Sequence, residues 1–105
     1  MLSTDQWSTI RGLVDWLDSR NGRSDHEIAM RLMKITEEAG EVVQAYLGVH
    51  GQNPRKGITH IVPDVQDELC DVIVTAAVAL ASLVGNPETV LAVKLDKISA
   101  RAAAL

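Results

Sequence analysis

Between Asp71 and Gly85 the chain reads Val-Ile-Val-Thr-Ala-Ala-Val-Ala-Leu-Ala-Ser-Leu-Val. A helix of that composition is apolar around nearly its whole circumference, which predicts burial on several sides. The weakly charged stretch from Val72 to Asn86 is too short to span a bilayer, so the expected cover is protein and not lipid. The other apolar residues suit the same solution. They make up 47% of 105 residues, and only Trp7, Trp16 and Tyr46 are aromatic. A core of Leu, Val, Ile, Ala and Met predicts an all-α chain, and the length fits one domain, residues 1–105.

Local signals divide the chain into four helices. Ser3-Thr4-Asp5-Gln6 has capping-box spacing, and Trp7, Ile10, Leu13, Val14 and Leu17 follow at helical steps before Asn21-Gly22. Ser24-Asp25-His26-Glu27 is a second capping box. It opens a helix whose apolar stripe is Ile28, Leu32, Ile35, Ala39, Val42 and Tyr46, ending by Gly48. A long connection, about Val49 to Ile61, carries Arg55 and Lys56; loops of this length in small domains are more often functional or mobile. The third helix opens near Pro63 and runs to about Val84 along Val65, Leu69, Val72, Ile73, Ala76, Leu80 and Leu83, and Gly85 closes it. Asn86 caps the fourth, with Val90, Leu91, Val93, Leu95 and Ile98 as its apolar residues. Four helices in a chain of this size predict a four-helix bundle.

The acidic residues have a pattern of their own. Glu38 and Glu41 are neighbours beside the apolar stripe of the second helix, with Glu37 further out. Glu68 and Asp71 repeat the spacing on the third, with Asp64 and Thr75 on the same polar line. Asp71 heads the apolar run, and a buried carboxylate there is costly unless paired, neutralised or metal-bound. Neither Lys nor Arg occurs from Pro63 to Val84. If the two helices pack antiparallel, the four carboxylates meet, and an oxygen-only set suits Mg²⁺ first and Mn²⁺ second. The competing account is a solvated acidic face, with Lys34 paired to Glu38 and Asp64, Asp67 and Glu68 placed by the helix dipole. Either helix alone leaves the choice open; the two acid pairs together favour the metal.

A formal charge of -4 argues against a broad nucleic-acid footprint, though not against nucleotides, because a metal reverses the sign of a local site. The single cysteine, Cys70, excludes an internal disulfide and a Cys-based zinc site, and reads as a buried apolar residue. The start MLSTDQWSTI lacks signal-peptide character, so a cytoplasmic setting is expected. His26, His50 and His60 lack the spacing for a Glu-x-x-His di-iron site. Trp7 and Trp16 are out of phase on one helix and read as core or interface residues ahead of base-stacking ones. Gly40 reads as a point of close helix packing.

The acidic segments, Glu37-Glu38-Ala39-Gly40-Glu41 and Glu68-Leu69-Cys70-Asp71, form EExxE followed by ExxD. This pattern, within KITEEAGEVVQAYLG and DELCDVIVTAAVAL, resembles the signature of the MazG-like nucleotide pyrophosphohydrolases over about Arg31 to Leu83. The resemblance implies that Glu38, Glu41, Glu68 and Asp71 hold Mg²⁺. It implies a catalytic role for Glu37 and Glu38, Glu37 binding a further ion or orienting the attacking water. The implied reaction is cleavage of a nucleoside triphosphate between the α- and β-phosphates, giving a monophosphate and pyrophosphate. Lys94, Lys97 and Arg101 match the basic residues that hold the distal phosphates, and Lys34 is counted with them. The asparagine that often accompanies them is replaced by Ile98. Two alternatives stand beside this reading: a non-catalytic helical nucleotide-binding or assembly module, and a relative acting on phosphoribosyl-ATP. A homodimer or homotetramer is expected, because the third helix is more apolar than three neighbours can cover.

Overall fold

The computed structural model of the chain describes residues 1–104, which form four helices and, among the described residues, no strand. They are α1 (Thr4–Asn21), α2 (Asp25–Val49), α3 (Val62–Leu83) and α4 (Pro87–Ala103). The all-α expectation holds, and each boundary lies within a residue or two of its local signal. No single helix is long and apolar enough to cross a membrane.

Capping explains the boundaries. Ser3 Oγ accepts from the Gln6 amide at 3.1 Å while the Ser3 amide donates to Gln6 Oε1 at 2.8 Å, a complete capping box. Gly22 ends α1 at φ 77°, in the left-handed region that glycine enters without a Cβ penalty. At α2 only half the predicted box forms. Ser24 Oγ accepts from the Glu27 amide at 3.2 Å, but the Glu27 carboxylate accepts from Arg31 Nε at 2.8 Å instead of closing on the cap. Pro63 sits in the first turn of α3, and Asp64 Oδ2 takes the Ile61 amide at 2.9 Å. Asn86 caps α4 through its backbone carbonyl, not its side chain.

Helices α2 and α3 form the principal packed pair, joined as an antiparallel hairpin, and α1 lies on α3. The core is small: Trp7, Ile10 and Ala77 are buried together, with Leu2, Val78, Ala81 and Leu91 packed around them. Helix α4 joins it by its first turns. Pro87 is buried, Leu91 touches the core, and Arg11 on α1 pairs with Glu88. The α3–α4 bend is 115°, and from Val93 onward the described residues of α4 are exposed. The radius of gyration is 16.8 Å, against about 13 Å for a compact chain of about 100 residues.

This openness corrects several expectations. On α2 the buried line is Arg31, Glu38 and Ala45, while Leu32, Ala39 and Tyr46 of the predicted stripe are exposed. On α3 the buried residues are Ala77, Ala79 and Ser82, and Leu69, Ile73 and Leu83 face outward. Asp71 and Cys70 are both exposed, because α1 and α2 cover only one side of α3. Gly40 has open space where a Cβ would lie, so it is not a packing glycine. Gly48 is: a Cβ there would collide with Thr59 and His60.

Candidate metal centre

The antiparallel hairpin sets Glu38 and Glu41 of α2 opposite Glu68 and Asp71 of α3. One carboxylate oxygen from each lies within 4.8 Å of the others, close enough for one cation to reach all four. Their burial is graded. Glu38 is buried at 9% exposure, Glu41 and Glu68 are half-buried, and Asp71 is open to solvent. The cost of charge therefore falls on Glu38 and Glu68, and not on Asp71 as the apolar run predicts.

Two features show that protein groups alone do not satisfy the cluster. Glu68 Oε2 is buried and has no hydrogen-bond partner among the described residues. A buried acceptor without a partner is unusual and carries the full cost of its lost hydration. Glu41 is pushed above the ordinary carboxylate range, first by a hydrogen bond shared with Glu68, then by desolvation and by the Glu68 charge. The donor set, four carboxylates and no nitrogen or sulfur, is of the kind that hard divalent ions take.

Among the described residues, Lys34 is the one basic residue paired with an acid of this group. Its Nζ lies 3.2 Å from Glu37 Oε1 and 3.3 Å from Glu38 Oε1, as the helical spacing predicts. These bonds, Glu37 first and Glu38 second, raise the Lys34 pKa and keep the ammonium charged. Glu37 is exposed and stands outside the group of four. The α4 cations are placed differently. Lys94, Lys97 and Arg101 are exposed, and among the described residues none pairs with a carboxylate. Since α4 turns away from α3 and does not pack along α2, one chain does not bring these cations to the acids.

Two cavities lie on the elements that carry the acids, and none of the four carboxylates lines either. One, of about 210 Å³, is almost entirely apolar and lies between α1, α2 and α3, lined by Leu13, Trp16, Leu17 and Val74 with Lys34 at its edge. Trp16 is 56% exposed, whereas Trp7 is 2% exposed in the core, so the two indoles have separate settings. The other, of about 320 Å³, has a mixed polar and apolar lining and lies where the connecting loop folds back on the end of α2. Arg31, which sequence reasoning passed over, is 5% exposed. It donates to Glu27, to Ser82 Oγ at 3.1 Å and to the Gly22 carbonyl at 3.0 Å, and pairs with Asp18 at 2.9 Å. Its signal was the spacing Arg31-Glu38-Ala45, two helical turns apart on one face.

Comparison with protein-family models, with curated proteins and with solved structures returned no match.

Proposed function

We propose that the chain is a Mg²⁺-dependent nucleoside triphosphate pyrophosphohydrolase of the MazG-like kind. The observation that carries this reading is the set of four facing carboxylates, Glu38, Glu41, Glu68 and Asp71, with Glu68 Oε2 buried and unpartnered. Water attacks the α-phosphorus, the bond to the oxygen bridging to the β-phosphorus breaks, and the products are a monophosphate and pyrophosphate. A bound Mg²⁺ would draw charge from the phosphate oxygens and lower the pKa of its water. Glu38, Glu41, Glu68 and Asp71 hold the ion. Glu37, solvent-facing and next to Glu38, orients the water or accepts its proton. Lys34 restrains Glu37 and Glu38 and offers an ammonium to a phosphate arriving beside them.

The test is pyrophosphate release from a panel of NTPs and dNTPs in Mg²⁺ or Mn²⁺. Turnover lost in Glu38→Gln and Asp71→Asn, with helicity retained, supports the proposal; no turnover of any nucleotide by the native chain overturns it.

The second reading, a nucleotide-binding module without catalysis, draws on the position of the α4 cations away from the acids. Binding of nucleotide without hydrolysis favours it.

We also propose a homo-oligomer, a dimer or tetramer. Leu69, Ile73 and Leu83 on α3 and Val93, Leu95 and Ile98 on α4 are exposed apolar residues on helices that leave a side uncovered. A second copy that covers them also supplies α4 cations to the acids of its partner. A monomer mass by light scattering at micromolar concentration overturns this.

A further inference from the structure

Leu69, Ile73, Ala76, Leu80 and Leu83 recur along α3 at alternating steps of four and three residues. That spacing is the seam of a coiled coil, one apolar line that a second helix covers along its length. One chain supplies no such helix. Helix α1 meets α3 at Ala77 through Trp7 and Ile10, and α2 meets it at Ser82 through Arg31. Helix α4 joins the core through Leu91 and then leaves at 115° to α3. Leu69, Ile73 and Leu83 therefore stay 48%, 58% and 55% exposed, with Ala76 and Leu80 half-buried between them. The wall that a closed four-helix bundle would place here is missing.

Two properties of the seam point to what covers it. The first is symmetry. Ala76 is its midpoint and its smallest side chain, and Leu69 and Leu83 each stand seven residues away. A copy of α3 laid antiparallel about a two-fold axis beside Ala76 sets Leu69 of one copy against Leu83 of the other, and the small residue lets the helices approach. The second is charge. Asp64, Asp67, Glu68 and Asp71 all lie in the first half of α3, and no charged residue occurs from Val72 to Pro87. A parallel pair would set these acids side by side and align like dipole ends. An antiparallel pair opposes each acidic half with an uncharged one and pairs opposite dipoles. It also carries Lys94, Lys97 and Arg101, beyond the C-terminal end of α3, toward the acidic end of the other copy.

We propose that the seam of α3 is the interface with a second copy of this chain, paired antiparallel to the α3 of that copy about a two-fold axis beside Ala76. The same patch serves both copies, so the contact closes at two and does not extend into a fibre. Glu68 and Asp71 face α2 and lie outside the seam, so the pairing leaves the four carboxylates as they are. The proposal rests on the reading of the chain as a homo-oligomer and gives that reading its helix, direction and register. It does not depend on the metal centre.

The experiment is disulfide trapping in a Cys70→Ser background, which removes the native thiol. Under mild oxidation Ala76→Cys is expected to form a covalent dimer with itself. Leu69→Cys and Leu83→Cys, mixed and allowed to exchange subunits, are expected to form a covalent heterodimer. Leu69→Cys alone is expected to form none, because its two copies stand about 21 Å apart along the axis and a disulfide needs Cα atoms within about 7 Å. Ile73→Asp, at a position exposed in one chain, should keep the helical circular dichroism and weaken the dimer by about tenfold or more in sedimentation. Trapping of Leu69→Cys with itself in preference to the mixture overturns the antiparallel direction. No covalent dimer at Ala76→Cys or in the mixture, from protein that is oligomeric by light scattering, overturns α3 as the interface and leaves the oligomer standing. A monomer mass for the native chain overturns both.

Discussion

Lys34 Nζ lies 3.3 Å from Glu38 Oε1, so the most buried carboxylate of the acidic group already carries a counter-ion on its outer side. The same ammonium is within reach of a phosphate and within repulsive range of a metal. Lys34→Gln is therefore expected to change two affinities in opposite senses. Mn²⁺ should bind several-fold more tightly, on the order of 1 kcal/mol for one partly screened charge. The KM for nucleotide should rise. Mn²⁺ titration followed by electron paramagnetic resonance, together with steady-state kinetics, measures both.

The carboxylate group costs the metal-free chain stability. Glu68→Gln removes a negative charge from a cluster with an unpartnered buried oxygen, so the metal-free melting temperature should rise. The native chain should gain about 2.7 kcal/mol when Mn²⁺ is present at a hundred times its dissociation constant, and the variant should lose that gain. Thermal melts with and without Mn²⁺ test this. A variant less stable than the native chain in chelator would count against a metal role for Glu68.

Arg31 ties the α1–α2 turn to the end of α3. Arg31→Met should destabilise the chain by about 2–3 kcal/mol, since it removes several charge-assisted bonds at once. Denaturant unfolding gives the value.

The partners of Arg31 set an acid limit. Against the upward push of desolvation, hydrogen bonds from Arg23 and Arg31 hold Asp18 below its ordinary value of 3.8. The Arg31 hydrogen bond, ahead of lesser effects, holds Glu27 below its ordinary 4.5. Folded-state values that are lowered give stability that is fully present above the ordinary ones and is lost as pH falls through the lowered ones. Melting temperature should therefore fall below about pH 4.5, and Arg31→Met should fall less steeply over that window.

The two tryptophans should separate in one experiment. Trp7→Ala empties a core position and should cost about 3–5 kcal/mol. Trp16→Ala should cost far less, and acrylamide should quench Trp16 while leaving Trp7 dim to it. If nucleotide protects Trp16 from acrylamide, the apolar cavity beside Lys34 takes the base.

The sequence by itself determined where helices begin and end, because those signals act over three or four residues: Ser3 with Gln6, Asp64 with Ile61, Gly22 after Asn21. It also determined that Glu38 and Glu41, and Glu68 and Asp71, share helix faces, since spacing on a helix is geometry. Burial was decided elsewhere. The apolar stripe through Leu32, Ala39 and Tyr46 was legible, yet the hairpin turned Arg31, Glu38 and Ala45 inward, leaving Leu69, Cys70 and Asp71 outside. A periodic pattern states that a face exists; which face is covered depends on how many helices one chain can bring to it. The fold-back of Thr59 and His60 on Gly48, and the bend that carries Lys94 and Arg101 away, depend on contacts between residues far apart in the chain. The acidic pairs, and the Lys34–Glu38 pair at i,i+4, were therefore written in the sequence, while the burial of Glu38 and the exposure of Asp71 were decided by the tertiary structure.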